Sequence, residues 1–259
     1  MLGFMPEGDT VWHAARLLRD ALAGRELTRS DFRVPRYALA DLSGHTVTDV
    51  VPRGKHLLIR TDNGLTVHTH LKMEGRWRIA PVSERLRESY RIRLVLENAE
   101  WRATGYELGI VEVLPTAQED RITGHLGPDL LGPDWDPGEA VRRLREAPDR
   151  PAGEALLDQR NLAGIGNVYK SEVLFLRGIR PTRPVGKIND LDALVGLAHR
   201  MLDFNKDRYD RVTTGDQRRG HETWVYGRRM RPCRRCGTGI RHAELGDRIT
   251  YWCPSCQPD

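Results

Sequence analysis

Residues 156–178 read LLDQRNLAGIGNVYKSEVLFLRG, and the architecture of the chain turns on them. Two segments of helical texture, ending at Gln159 and starting at Asn167, are joined by a short connection that contains Gly164 and Gly166. This spells two helices in tight succession, with Asn167 placed to cap the second. Glycines let a backbone approach a ligand closely, and a helix N-terminus offers free N–H groups and the positive end of a dipole. A phosphate suits such a spot. An ordinary helical hairpin with a glycine turn has the same spelling, so the stretch alone leaves both readings open.

The texture on either side differs. GEALLDQ (153–159) and LDALVGLAHRMLDF (191–204) continue the helical pattern. Upstream, six prolines at 115, 128, 133, 137, 148 and 151, with Gly124, Gly127, Gly132 and Gly138, mark a hinge region holding one short helix near Glu139–Ala147. Before the hinge, from about Leu27 to Val113, the pattern is short strands and turns. LLIR (57–60) and LTVHTHL (65–71) flank Asp62-Asn63-Gly64, and RIRLVLE (91–97) precedes WRAT (101–104); each pair reads as a hairpin. A helix over Thr10–Leu22 precedes the strands, with Thr10 as N-cap, Trp12, Leu17, Leu18, Ala21 and Leu22 as apolar positions, and Gly24 as its stop. The expected class is α+β, a β-sandwich or barrel followed by a helical part.

All four cysteines lie at the far end: Cys233, Cys236, Cys253 and Cys256, in the pattern C-x2-C-x16-C-x2-C. Two close pairs around a hairpin-sized loop fit one tetrahedral ion, and a cytosolic chain with no cysteine elsewhere argues against disulfides. Sulfur fills every ligand position, so the expected cofactor is one structural Zn2+ that folds its segment and does no chemistry. The charge gathers here too. The formal net charge of the chain is +5. Residues 206–248 carry 12 Lys/Arg against 6 Asp/Glu, while the rest carries 29 against 30. Such a block meets a polyanion or is a solvated basic face. The 259 residues are ample for a core in one large domain or two modest ones, and 39% hydrophobic with 30% charged residues fits a soluble globular protein. No apolar run reaches the ~20 residues of a membrane span, and no signal peptide is spelled. The expected location is the cytoplasm, with no membrane partner.

The segment Met5-Pro6-Glu7-Gly8-Asp9 carries two readings. Pro, Glu and Asp all favour helix entry. A proline at the chain start is also a secondary amine, titrating near ~8 like other α-amino groups and able to attack an aldehyde carbon. Within a chain that nitrogen is an inert imide. Met1-Leu2-Gly3-Phe4 precede it, so the expectation is that translation starts at Met5 and that Met5 is removed.

The motifs PEGDT (6–10), RGKHLL (53–58), HLKMEG (70–75), AGIGNVYKSE (163–172), VYGR (225–228), CRRCG (233–237) and RITYWCPSCQ (248–257) together resemble the formamidopyrimidine-DNA glycosylase/endonuclease VIII (Fpg/Nei) family of base-excision-repair enzymes, in family order over nearly the whole chain. The resemblance implies an N-terminal β-sandwich with an N-terminal helix (5–120), a hinge and helix–two-turn–helix DNA-binding domain (121–228) and a zinc finger (229–259). It implies catalytic roles for Pro6 as nucleophile, Glu7 as acid/base, and Lys55 and Arg248 at phosphates. It implies DNA contacts from Asn167, paired with Arg248, and from Arg228. Leu71 and Met73 fall in its intercalating loop, although either also suits a hairpin core. The implied activity is that of a bifunctional glycosylase and AP lyase acting as a monomer on damaged double-stranded DNA at the nucleoid, through a Schiff base and then β,δ-elimination.

The stretch ATGYELGIVEV (103–113) lacks the Arg-Phe pair typical of purine-acting members. This points to the endonuclease VIII branch and oxidised pyrimidines rather than 8-oxoguanine. A non-catalytic zinc-containing damage sensor is the alternative from another class. A zinc-ribbon transcription factor leaves PEGDT and RGKHLL unexplained.

Overall fold

Val11, Ala15, Leu18 and Leu22 recur at the helical period and form the buried stripe of helix α1 (Gly8–Leu22). The structure, a computed structural model, describes residues 5–259; residues 1–4, and with them the extension ahead of Met5, lie outside the described residues. Eight strands follow α1: β1 (Arg29–Phe32), β2 (Val47–Arg53), β3 (His56–Thr61), β4 (Leu65–His70), β5 (Arg76–Pro81), β6 (Ile92–Glu97), β7 (Trp101–Tyr106) and β8 (Ile110–Pro115). They form two antiparallel four-stranded sheets, ordered β1-β6-β7-β5 and β2-β3-β4-β8. The β3–β4 hairpin sits where Asn63 and Gly64 put it. The Asn63 Oδ1 accepts from the Thr61 hydroxyl at 2.7 Å and from the Leu65 N–H at 3.2 Å, and Gly64 takes a φ of +75°. Val47, Val50, Ile59, Val67, Leu94, Leu96 and Ala103 join the α1 stripe in one core. This is the β-sandwich with its N-terminal helix.

Past the short helix α2 (Asp120–Thr123) the chain turns helical, with α3 (Pro137–Arg145), α4 (Ala152–Leu157), α5 (Asn167–Leu176) and α6 (Leu191–Asn205). Asp136 and Asp190 cap α3 and α6 by accepting from the N–H groups of Glu139 and Ala193 at 3.0 and 2.8 Å. Leu144, Leu156, Ile165, Tyr169, Val173, Leu194 and Leu202 pack these helices together. The hairpin β9 (Arg241–Leu245) and β10 (Arg248–Trp252) closes the chain, and Phe175 of α5 enters a small core with Val225, Cys233, Ile240 and Cys253.

The chain divides into two compact units, 10–125 and 126–259, the second also holding the described residues up to Asp9. Two helix starts differ from the sequence-based expectation. Helix α1 begins at Gly8 rather than after Thr10, because the Gly8 N–H already has a partner, the Gly164 carbonyl at 2.8 Å. Asn167 is the first residue of α5, not its cap: Gly166 holds the N-cap position.

Candidate active site and metal centre

Glu7 is fully buried, and its carboxylate lies across the first turn of α5. Its Oε2 accepts from the Gly166 N–H at 2.7 Å and the Tyr169 N–H at 3.4 Å, and its Oε1 from the Val168 N–H at 2.7 Å. A helix start leaves such donors unsatisfied, and an acceptor-only carboxylate matches them. Gly166 is required by that approach: a Cβ there would lie 2.5 Å from the Glu7 Cδ. Gly164, at φ +98°, supplies the turn whose carbonyl receives Gly8.

Asp9, one turn into the chain start, accepts from the Tyr169 hydroxyl at 2.7 Å and from both Nε and Nη2 of Arg211 at 2.8 and 2.5 Å. The Arg211 guanidinium is buried, lies 4.7 Å from the centre of the Tyr169 ring, and has its Nη1 3.7 Å from Glu7. Burial opposes its charge, but Asp9 and Glu7 more than offset this and push its pKa further up. Burial first, then the Asp9 charge, pushes the Tyr169 phenol up, so it stays a donor. Half-buried Pro6 is thus attached to a segment clamped at Glu7, Gly8 and Asp9.

The rest of α5 orders what lies beyond it. The Asn167 Nδ2 donates to the Ile249 carbonyl at 2.8 Å, and its Oδ1 is buried with no hydrogen-bond partner. The Lys170 Nζ donates to the Thr250 hydroxyl at 2.5 Å. Glu172, fully buried, accepts from the Trp224, Val225 and Tyr226 N–H groups at 2.7, 2.9 and 2.9 Å and from the Thr213 hydroxyl. Arg248 opens β10 with a side chain 41% exposed, its Nε 3.6 Å from Asp247. Arg228 faces inward instead. It is 8% exposed and donates to the Trp224 and Pro232 carbonyls at 2.5 and 2.9 Å, a brace between the loop and the finger.

The four cysteine sulfurs lie within 4.8 Å of one another. Cys233 and Cys256 are 3.9 Å apart and Cys236 and Cys253 3.5 Å, too far for disulfides. Sulfurs 2.3 Å from a tetrahedral zinc stand about 3.8 Å apart, so the donor set fits one Zn2+. Gln257, fully buried, ties the finger to the helical unit: it accepts from the Cys253 N–H at 3.0 Å and donates to the Ile179 carbonyl at 2.7 Å.

The other expected residues lie on the sandwich unit. Lys55 follows Gly54 in the β2–β3 turn and is half-buried. Leu71 is 2% exposed in the sandwich core, whereas Met73 is 54% exposed in the β4–β5 turn. A polar chain that sequence reasoning missed runs beneath these turns. Glu112 is 3.0 Å from His68 Nδ1, the His68 Nε2 is 2.9 Å from His56 Nδ1, and the His70 Nδ1 accepts from the Lys72 N–H at 2.9 Å. Beside the alternating H-T-H of β4, its sequence signals were RGKHLL and HLKMEG, which hold His56 and His70 with no role assigned to either. Tyr169, Lys170 and Glu172 lay within AGIGNVYKSE with no role assigned to them, and Arg211 had no signal beyond its residue type.

Three family models match in order: the formamidopyrimidine-DNA glycosylase N-terminal domain over residues 5–107, the formamidopyrimidine-DNA glycosylase H2TH domain over 126–202, and the zinc finger found in FPG and IleRS over 232–258. A probable endonuclease 8 2 of Streptomyces coelicolor is 58% identical, over 98% of this chain and 94% of that protein. The DNA-(apurinic or apyrimidinic site) lyase Nei2 of Mycolicibacterium smegmatis is 54% identical, over 98% and 99%. Among solved structures, a Lactococcus lactis Fpg in complex with N7-benzyl-Fapy-dG DNA superposes with a TM-score of 0.82 at 26% identity, covering 98% of this chain and 100% of that one. The same protein bound to DNA with an abasic site gives 0.82 at 25%, with the same coverage.

Proposed function

The chain belongs to the formamidopyrimidine-DNA glycosylase/endonuclease VIII family, and from that premise we propose that it is a bifunctional DNA glycosylase and AP lyase of base excision repair whose nucleophile is the amine of Pro6. The observation that carries this reading is the buried clamp on Glu7, Gly8 and Asp9. It fixes the segment bearing Pro6 against the start of α5. Such a clamp suits a nucleophile that must meet one sugar carbon in one orientation.

The Pro6 nitrogen attacks C1′ of the damaged nucleotide and the base leaves with its bonding electrons, taking a proton. Loss of the ring oxygen from C1′ leaves an iminium on Pro6. The iminium withdraws electrons, C2′ loses a proton, and the C3′–O bond breaks; a second elimination breaks C5′–O. Hydrolysis frees Pro6. Glu7, the next residue along the chain, is the proton-handling group. Arg248 and Asn167 hold the flanking phosphate, and Lys55 holds another. Met73 fills the gap left by the extruded base. Zinc bound by Cys233, Cys236, Cys253 and Cys256 supplies a rigid fold for the finger that carries Arg248. Arg228 supports that finger from within.

Oxidised pyrimidines are the proposed substrates. The β7–β8 connection is only Glu107-Leu108-Gly109, too short to carry an inserted Arg-Phe loop opposite the lesion. Single-turnover excision from a thymine-glycol duplex is expected to outpace that from an 8-oxoguanine duplex; the reverse order would assign the chain to purines. The protein is proposed to work as a monomer in the cytoplasm, on the nucleoid. Among the described residues no helix is long and apolar enough to cross a membrane.

Borohydride trapping on abasic-site DNA, with the adduct mapped by mass spectrometry, tests the central reading. A covalent bond to Pro6 supports it together with a Met5 start. Tight binding without an adduct overturns it in favour of a non-catalytic damage sensor.

A further inference from the structure

Lys170 is the one buried lysine among the described residues, 1% exposed, and no step above uses it. Burying an ammonium is costly, and an apolar side chain would fill the space without that cost. Its partners suggest why a charge is kept. The Nζ donates to the Thr250 hydroxyl at 2.5 Å, and that hydroxyl reaches the Arg248 carbonyl at 3.5 Å. One turn earlier on the same face of α5, Asn167 holds the Ile249 carbonyl. Two side chains of one helix therefore grip the two residues that follow Arg248. The buried Asn167 Oδ1 beside them has no hydrogen-bond partner.

We propose that Lys170 is a positioning residue which, through Thr250, sets the aim of Arg248 at a DNA phosphate. The inference rests on the reading above, in which Arg248 and Asn167 meet the backbone of damaged DNA. Charged groups reach Lys170 from two directions: Glu7 from the chain start, and Asp247 and Arg248 from the β9–β10 turn. From helix α4, Gly153 comes close: a Cβ there would lie 3.5 Å from the Lys170 Cδ. The like charges of Lys170 and Arg248 repel, with Glu7 and Asp247 as the nearby carboxylates, and an arriving phosphodiester relieves that repulsion further.

Burial, then the Arg248 charge, lowers the Lys170 amine to about 8, against the pull of Glu7 and Asp247. The ammonium is present below that pH and lost above it. Affinity should therefore fall as pH rises through about 8.

The test measures Kd for a duplex carrying a tetrahydrofuran abasic analogue, which cannot form the Schiff base, from pH 6.5 to 9.5. The wild type is expected to lose about tenfold in affinity across the range, the worth of one charge-assisted contact. Lys170→Met should be weak and flat throughout, raising KM with kcat within about twofold. Lys170→Arg should restore tight binding without the fall near pH 8, because arginine stays charged. In an Arg248→Ala background, Lys170→Met should change Kd less than about twofold. Independent, multiplying effects of the two substitutions overturn the proposal, as does a wild-type pH profile in Lys170→Met. If Lys170→Met fails to fold with one zinc, Lys170→Arg decides: a wild-type fall near pH 8 there overturns it. A wild-type protein that traps no abasic DNA sinks the glycosylase reading instead, an outcome scored before any variant is compared.

Discussion

Glu7 shows how much one carboxylate does here. Its two oxygens accept from three N–H groups at the start of α5, one of them the N-cap Gly166, so changing Glu7 to Gln turns one oxygen into an NH2 facing other donors. Leaving buried donors unpaired costs about 1–3 kcal/mol. Glu7→Gln is therefore expected to lower stability in urea by that amount as well as to remove base excision; unchanged stability would show that the helix does not depend on this cap. Gly166→Ala attacks the same contact from the other side, because its Cβ would fall 2.5 Å from Glu7 Cδ. It should cost about 1–3 kcal/mol and suppress borohydride trapping while zinc content stays at one. The sequence marked Glu7 and the two glycines as notable but could not join them. Capping rules read three or four neighbours, and this cap is supplied from 159 residues away. Burial was illegible for the same reason. Leu71 and Met73 look alike in HLKMEG, yet Leu71 belongs to the sandwich core and Met73 points out.

At the scale of elements, strands and helices announced themselves wherever turn chemistry was local. Asn63-Gly64 located the β3–β4 hairpin, and the paired C-x2-C spacing located the finger around β9–β10. The polar chain across β3, β4 and β8 did not, since cross-strand partners depend on register. Glu112 can only accept, which puts the His68 proton on Nδ1 and leaves its Nε2 to accept from His56 Nδ1–H; the Lys72 N–H likewise keeps the His70 proton on Nε2. Burial, then neighbouring positive charge, lowers both His56 and His70 to about 3. A histidine whose folded pKa lies below its unfolded value near ~6.5 takes up protons on unfolding, so stability is lost as pH falls from about 6.5 towards 3. At pH 5.5 the two together should cost about 3 kcal/mol relative to pH 7.5. Urea melts of the wild type and of His56→Phe check this. The variant should lose about half of the pH dependence, and equal dependence in both would place the acid-sensitive groups elsewhere.

Across the whole molecule, the basic surplus of residues 206–248 and the finger that organises much of it make binding electrostatic. Stripping zinc with a chelator is expected to unfold the finger, free Arg248 from its register opposite Leu245, and weaken binding to abasic DNA at least about tenfold. Re-adding zinc should restore it. A titration in salt should give a linear fall of log K, and Arg248→Ala should make that slope shallower by about one contact. Full affinity in the chelated protein would mean that the finger is dispensable for binding.

The clamp on Glu7, Gly8 and Asp9 also imposes an order on its own assembly. Arg211, the guanidinium partner of Asp9, lies 202 positions later in the chain and is made after it. Until that arginine is synthesised, Asp9 has no guanidinium to hold. Contacts of such sequence separation are among the slowest to close. A nascent or prematurely terminated chain can thus fold its sandwich while the Pro6 segment stays unbraced. The bracing of the Pro6 segment waits on a residue from the far side of the chain.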